Sequence, residues 1–223
     1  MIRRSAIAVC LGLASVQPAA ACGVALLLAV DVSGSVDPFE YDIQMKGLAT
    51  ALRDDSIAEA LVVEEAAVSL LQWTGQSRQH MSIPWRRIVD FEDIDALADE
   101  VERTPRKWRN FSTAIGEALQ VAMRAFVDVP DCERRIIDVS GDGRSNEGVQ
   151  PNDMHDVLNA ADITVNGLAI EETDGNLTEY YRNFLITGPG AFAMTAATYE
   201  IYPDRIRQKL LRELTKQLSQ TDP

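Results

Sequence analysis

The segment Asp31-Val32-Ser33-Gly34-Ser35 sets one carboxylate and two hydroxyls at alternate positions. On a loop, all three can turn toward one point. They are hard oxygen donors, suited to Mg²⁺, Mn²⁺ or Ca²⁺ rather than to zinc. Two further segments offer donors of the same kind. Residues 110–119 place the adjacent hydroxyls of Ser112 and Thr113 ahead of a helical apolar pattern, where a hydroxyl can cap the helix or reach a metal. Residues 136–143 set Asp142 between Gly141 and Gly143 after an apolar run. Each segment also has a plain structural use. Asp-Gly is ordinary turn chemistry, and Ser35 or Asp37 can cap the helix that follows the first segment.

The elements that must position these residues read as alternating strands and helices. Residues 24–30 (VALLLAV) are a continuous apolar run, the pattern of a strand buried on both faces. Asp37 then reads as an N-cap with Pro38 at the first helical position, and the helix runs through Leu52. Further strands are expected at 67–73, 135–139, 163–170 and 191–196. A short edge strand at 79–84 should end at its proline. Helices are expected at 94–101, 151–160 and 177–185. A stronger one is expected at 111–127, with Ile115, Leu119, Ala122 and Phe126 on one face. Pro203 opens a last amphipathic helix with Ile206, Leu210, Leu214 and Leu218 inward. Such alternation implies an α/β, doubly wound, mostly parallel sheet with helices on both faces and one short antiparallel edge strand. In these sheets ligands bind beyond the carboxyl ends of the strands, where the strand order reverses. All three oxygen-rich segments fall just after a strand or at a helix start.

Together the three segments resemble the metal-ion-dependent adhesion site (MIDAS) of the von Willebrand factor A (VWA) domain. That family carries D-x-S-x-S after its first strand, a Thr before a central helix and an Asp at the end of its fourth strand. Carried over residue by residue, the resemblance implies a metal-binding set of Asp31, Ser33, Ser35, Thr113 and Asp142. Ser112 lies beside Thr113, and the glycine pair that often flanks the family's Thr is missing. The stretches DVSGSVD, RRIIDVSGDG and GPGAF also resemble an uncharacterised group of exported bacterial VWA-like proteins. The resemblance implies a Rossmann-like fold and a bound Mg²⁺ (or Mn²⁺ or Ca²⁺) with an open position that a Glu or Asp carboxylate of a protein partner can fill.

Charge and export signals bound the remaining possibilities. Among 223 residues, 34 acids outweigh 21 Lys and Arg, for a formal net charge of -13. That balance argues against a nucleic-acid partner, which requires a basic face, and against an anionic membrane surface. Arg3 and Arg4, the apolar run at 6–16, Pro18 and Ala19-Ala20-Ala21 form the pattern of a secretory signal peptide at 1–21. A single VWA-like domain at 22–223 is expected to follow, exported to a bacterial periplasm. A fused membrane anchor through residue 30 would be interrupted by Gln17, Pro18 and Gly23.

Past Ala21 only Cys22 and Cys132 remain, 9 and 10 residues before Asp31 and Asp142. If both aspartates end neighbouring parallel strands, the cysteines meet at the opposite ends and can form a disulfide, which an exported protein keeps. Lipid modification of Cys22 and two unpaired thiols are the alternatives.

His80 and His155, the only histidines, sit in no metal-ligand spacing and read as structural or surface residues. Trp73, Trp85 and Trp108 read as packing. Trp108-Arg109-Asn110 and Arg144-Ser145-Asn146-Glu147 flank the oxygen-rich segments, either to read a partner or as solvated loop tips. The expectation is a binding module and not an enzyme. The alternatives are a structural or assembly domain with a silent metal site, or a metal-assisted hydrolase. Against the hydrolase, the chain has no G-x-S-x-G elbow and no phosphate-binding glycine loop.

Overall fold

The computed structural model describes residues 22–215. The signal-peptide reading and Leu218 lie outside the described residues. The first strand, β1 (Val24–Asp31), is buried at every position. Its even-numbered side chains Val24, Leu26, Leu28 and Val30 join one core cluster. Ala25, Leu27 and Ala29 join a second cluster on the other face. A strand with two apolar faces needs helices on both. Burying each such Val or Leu is worth about 1.5–3 kcal/mol.

The remaining strands are β2 (Ala67–Trp73), β3 (Gln79–Arg87), β4 (Arg134–Gly141), β5 (Ile163–Ile170) and β6 (Ala193–Ala196). They form one sheet in the order β3-β2-β1-β4-β5-β6. All neighbours pair in parallel except β2 and the edge strand β3. The strand order therefore reverses between β1 and β4, the place where such sheets bind ligands.

The first core cluster is covered by helices α1 (Pro38–Leu52), α2 (Asp55–Val63), α3 (Phe91–Arg103) and α7 (Tyr202–Thr215). The second is covered by α4 (Ile115–Ala125), α5 (His155–Ala160) and α6 (Leu177–Tyr180), the last continued by a π-helical turn to Leu185. Asp37 caps α1 by accepting from the backbone of Phe39 and Glu40, while Glu40 reaches back to the cap, a reciprocal capping box. Ile206, Leu210 and Leu214 point inward from α7 as expected.

Three local expectations are corrected. Helix α2 falls between residues 52 and 67, where no element was expected. Asp54 caps it, accepting from Ser56 and Ile57, and Ile57, Ala58 and Leu61 are buried. Strand β3 does not stop at Pro84 but runs on to Arg87, because it is an edge strand and its pairing with β2 shifts register across Val68–Leu70. Helix α4 begins at Ile115, so residues 111–114 belong to the preceding loop.

At the end of the sheet opposite Asp31, Cys22 and Cys132 form a disulfide, with Cα atoms 4.3 Å apart. Both sulfurs are used in this bond. No helix among the described residues is long and apolar enough to cross a membrane.

Candidate functional site

Asp31 is the last residue of β1 and Asp142 directly follows β4. Because β1 and β4 are parallel neighbours, the two carboxylates arrive at the same edge of the sheet, at the point of strand reversal. The loop after β1 folds back on itself there. Asp31 Oδ1 accepts from the Ser33 backbone N–H at 2.7 Å. Ser33 and Ser35 hydroxyls lie 3.2 Å apart, and the Ser35 hydroxyl donates to Asp142 Oδ1 at 2.6 Å. Four of the five residues implied by the resemblance are thus joined in one chain of short contacts. The fifth, Thr113, stands beside them. A Cβ built on Gly143 would lie 3.4 Å from its Oγ1. Asp31 and Ser33 are fully buried, Asp142 and Thr113 nearly so, and Ser35 is exposed at the rim.

The Thr113 loop owes its position to residues that no motif announced. Gln72, buried in β2, donates to Pro105 O and accepts from the Lys107 N–H, so it pins the loop between α3 and α4. Thr74 donates its hydroxyl to Ser112 O, and its own carbonyl accepts from the Ala114 N–H. Asn146 Oδ1 accepts from the Thr113 N–H at 2.9 Å. Glu147 takes the Ser112 hydroxyl and the Gln76 N–H. Arg106 donates to the carbonyls of Val32 and Ser33 at 3.0 and 2.8 Å, which ties this loop to the Asp31–Ser35 turn. Of these, Asn146 and Glu147 lay in a segment the sequence marked as flanking. Gln72, Thr74 and Arg106 carried no signal of their own, because a lone polar residue in a strand or loop looks the same whether it anchors a loop or faces water.

The site's electrostatics are those of an incomplete polar cluster. Burial pushes the Asp31 carboxyl up to about 8, and the Asp142 charge adds to that rise. Burial likewise raises Asp142, against the hydrogen bond from Ser35. Asp31 Oδ2 is buried with no hydrogen-bond partner. The hydroxyls of Tyr181 and Tyr199 are also buried without a partner of good geometry. Both tyrosines are pushed up by burial and by the charges of Asp31 and Asp142. Gly141 keeps this corner open, since a Cβ there would come within 2.9 Å of Asp31 Oδ2 and 2.8 Å of the Tyr181 hydroxyl. Two carboxylates and three hydroxyls with one oxygen unsatisfied form a donor set that fits a small hard cation. Among the described residues no group of three His, Cys, Asp or Glu could hold a metal. The oxygen-rich set is of another type, in which hydroxyls supply most donors.

The two histidines are engaged elsewhere. His80 packs edge-on against Trp108, and His155 Nε2 lies 3.0 Å from Phe184 O. Trp73 is fully buried, and Trp85 donates to Ala125 O while resting on Phe126.

Solved structures share this fold. A von Willebrand factor type A protein from Catenulispora acidiphila matches with a TM-score of 0.60 and 18% identity, over 85% of this chain and 42% of its own. Proximal thread matrix protein 1 from the mussel byssus, in a structure with a zinc-occupied MIDAS motif, matches at 0.63 and 17%, over 87% and 48%. The pilus adhesin SpaC from Lactobacillus rhamnosus GG matches at 0.61 and 11%, over 89% and 31%. The chain thus spans less than half the length of each. At these identities the likeness establishes the VWA-like fold that adhesion and matrix proteins also use. No curated protein matches the chain. Over residues 21–218 the chain matches the family described as "Protein of unknown function (DUF1194)", and it belongs to that family.

Proposed function

We propose that this protein is an exported binding module that captures an acidic group of a protein partner through a divalent cation. Asp31, Ser33, Ser35, Thr113 and Asp142 would hold the ion. A bound cation would supply the local positive charge that lets an acidic chain receive a carboxylate. The observation that carries this reading is the buried, unpartnered Asp31 Oδ2 beside Asp142, a carboxylate pair to which the chain donates hydroxyls but no cation of its own. Arg106, the nearest such charge, spends its hydrogen bonds on backbone carbonyls. Binding is favoured over hydrolysis because both histidines are engaged away from the cluster, and the carboxylates of Asp31 and Asp142 are the groups that would be taken up in holding the ion. Export is supported by the Cys22–Cys132 disulfide, a bond that persists in oxidising compartments.

A second reading is a structural or assembly domain whose metal site is silent. The short Ser35–Asp142 and Ser33–Ser35 contacts favour it, because they close part of the cluster on itself. Calorimetric titration of the mature domain with Mg²⁺, Mn²⁺, Ca²⁺ and Zn²⁺, beside Asp142→Ala, separates the two. One site that disappears in the variant is the result expected for capture. No heat at millimolar metal would leave the silent domain.

A further inference from the structure

The two flanks of the site differ in charge. On one side stand Glu40, in the first turn of α1, and Glu172, whose charges reach each other and whose neighbour is Asp142. On the other side the loop between α3 and α4 carries Arg106, Lys107 and Arg109 and no acid from Pro105 to Ala114. This loop touches the Asp31–Ser35 turn directly. Gly34 donates its N–H to Phe111 O at 2.8 Å, and a Cβ on Gly34 would stand 3.3 Å from Asn110 Cα. Asn110 takes a left-handed backbone, φ 59°, which asparagine tolerates and which sets the turn between Arg109 and Phe111. Trp108 is packed against the core, so the loop is held in place.

Arg109 is exposed. It makes no hydrogen bond or ion pair among the described residues, although acids outnumber bases in the chain by 34 to 21. Its charge is instead held close to Arg106, whose guanidinium it pushes down together with burial. A third guanidinium, that of Arg78, sits 3.8 Å over the ring of Phe111. An acidic protein that leaves one arginine unpaired beside another, next to a carboxylate-capturing site, has left room for an anion from outside.

We infer that Arg109 is a second anchor for the partner, an acidic protein segment whose one carboxylate goes to the cation while a neighbouring acidic residue pairs with Arg109. The inference rests on the cation-capture reading. It also gives a direction, since the second acid lies over the loop and away from Glu40 and Glu172, where like charges would repel it.

The test uses two capped glycine pentapeptides, one carrying a single glutamate and the other two glutamates in succession. Each is titrated onto the mature domain in saturating Mg²⁺ and followed by fluorescence anisotropy. The expected result is a preference of about fivefold for the two-glutamate peptide, the scale of one exposed ion pair. Added salt should diminish that preference. Arg109→Glu should invert the preference, with calorimetric Mg²⁺ affinity as the check that the site is assembled. Lys46→Glu, on the exposed face of α1 and paired with Asp42, makes the same change in net charge and should leave the preference intact. Equal loss in both reversals, or an unchanged preference in Arg109→Glu, overturns the anchor. Peptide binding that survives Asp142→Ala and removal of Mg²⁺ overturns cation capture instead. No binding of either peptide to the wild type overturns both.

Discussion

Among the described residues two buried carboxylate pairs stand out, and only one of them has a lysine between its acids. Beneath the sheet, Lys209 of α7 sits between Asp138 of β4, at 2.5 Å, and Glu213, at 2.8 Å, and all three side chains are buried. Asn166 of β5 donates to Glu213 Oε1 at 2.8 Å. Burial lowers Lys209, but the two carboxylates outweigh it and hold the lysine charged. Glu213 is pushed up to about 8 by burial and by Asp138, so near neutral pH it is mostly protonated and the cluster is close to charge-balanced. At the upper edge of the sheet Asp31 and Asp142 have the same burial, hydroxyls in place of amides, and no lysine. The comparison teaches that burying acids is not itself the sign of a site. What distinguishes the upper cluster is the absent counter-charge and its position at the strand reversal.

Removing the built-in cation should have the largest effect. Lys209→Met leaves Asp138 buried without its partner and should cost about 3–5 kcal/mol in denaturant unfolding. Asp31→Asn replaces a carboxyl that burial keeps mostly protonated near neutral pH in the metal-free protein, and should cost far less there. If the two variants cost the same, the contrast between the clusters is gone.

Metal should act on one cluster alone. At a hundredfold excess over its Kd, Mg²⁺ should stabilise the wild type by about 2.7 kcal/mol. The gain should vanish in Asp142→Ala and survive in Glu213→Gln, as thermal scans with and without chelator would show.

The pH dependence divides the clusters further. Asp31 and Glu213 both have folded-state pKa values raised to about 8. The folded protein therefore binds more protons than the unfolded chain from about pH 4 to 8, and stability falls as pH rises through that window. Glu213→Gln should remove its share with or without metal. Asp31's share should disappear when Mg²⁺ is present, because metal binding needs the ionised carboxylate. A fall that Mg²⁺ leaves untouched would count against metal at Asp31.

The smallest effect is expected at Asn146→Ala. It takes the acceptor from the Thr113 N–H and should cost about 1 kcal/mol of stability. Mg²⁺ affinity should weaken by about tenfold, the range for a residue that orients a ligand.

The five oxygen-bearing residues proposed to hold the ion were legible as a set because each lies within a short motif at a strand end or helix start. The sheet was legible because a two-faced apolar strand such as residues 24–30 has few other uses. Helix α2 was not, since its residues 55–63 mix acids with apolar residues over little more than two turns and only tertiary packing selects the buried face. The start of α4 was misplaced because Phe111 and Ser112 fit a helical pattern, while Thr74 and Asn146, distant in sequence, hold that stretch out of the helix.

The sequence by itself determined the alternation of strands and helices apart from α2, the acidic balance and the positions of Asp31 and Asp142 at strand ends, because these follow from local periodicity and composition. The tertiary structure decided which acids receive a partner. Asp138 and Asp142 are four residues apart in one segment and look alike in the sequence. One meets Lys209 from a helix about seventy residues downstream, and the other meets a turn more than a hundred residues upstream, at Ser35. Pairing across such distances is set by the layering of helices on the sheet, and no local pattern encodes it.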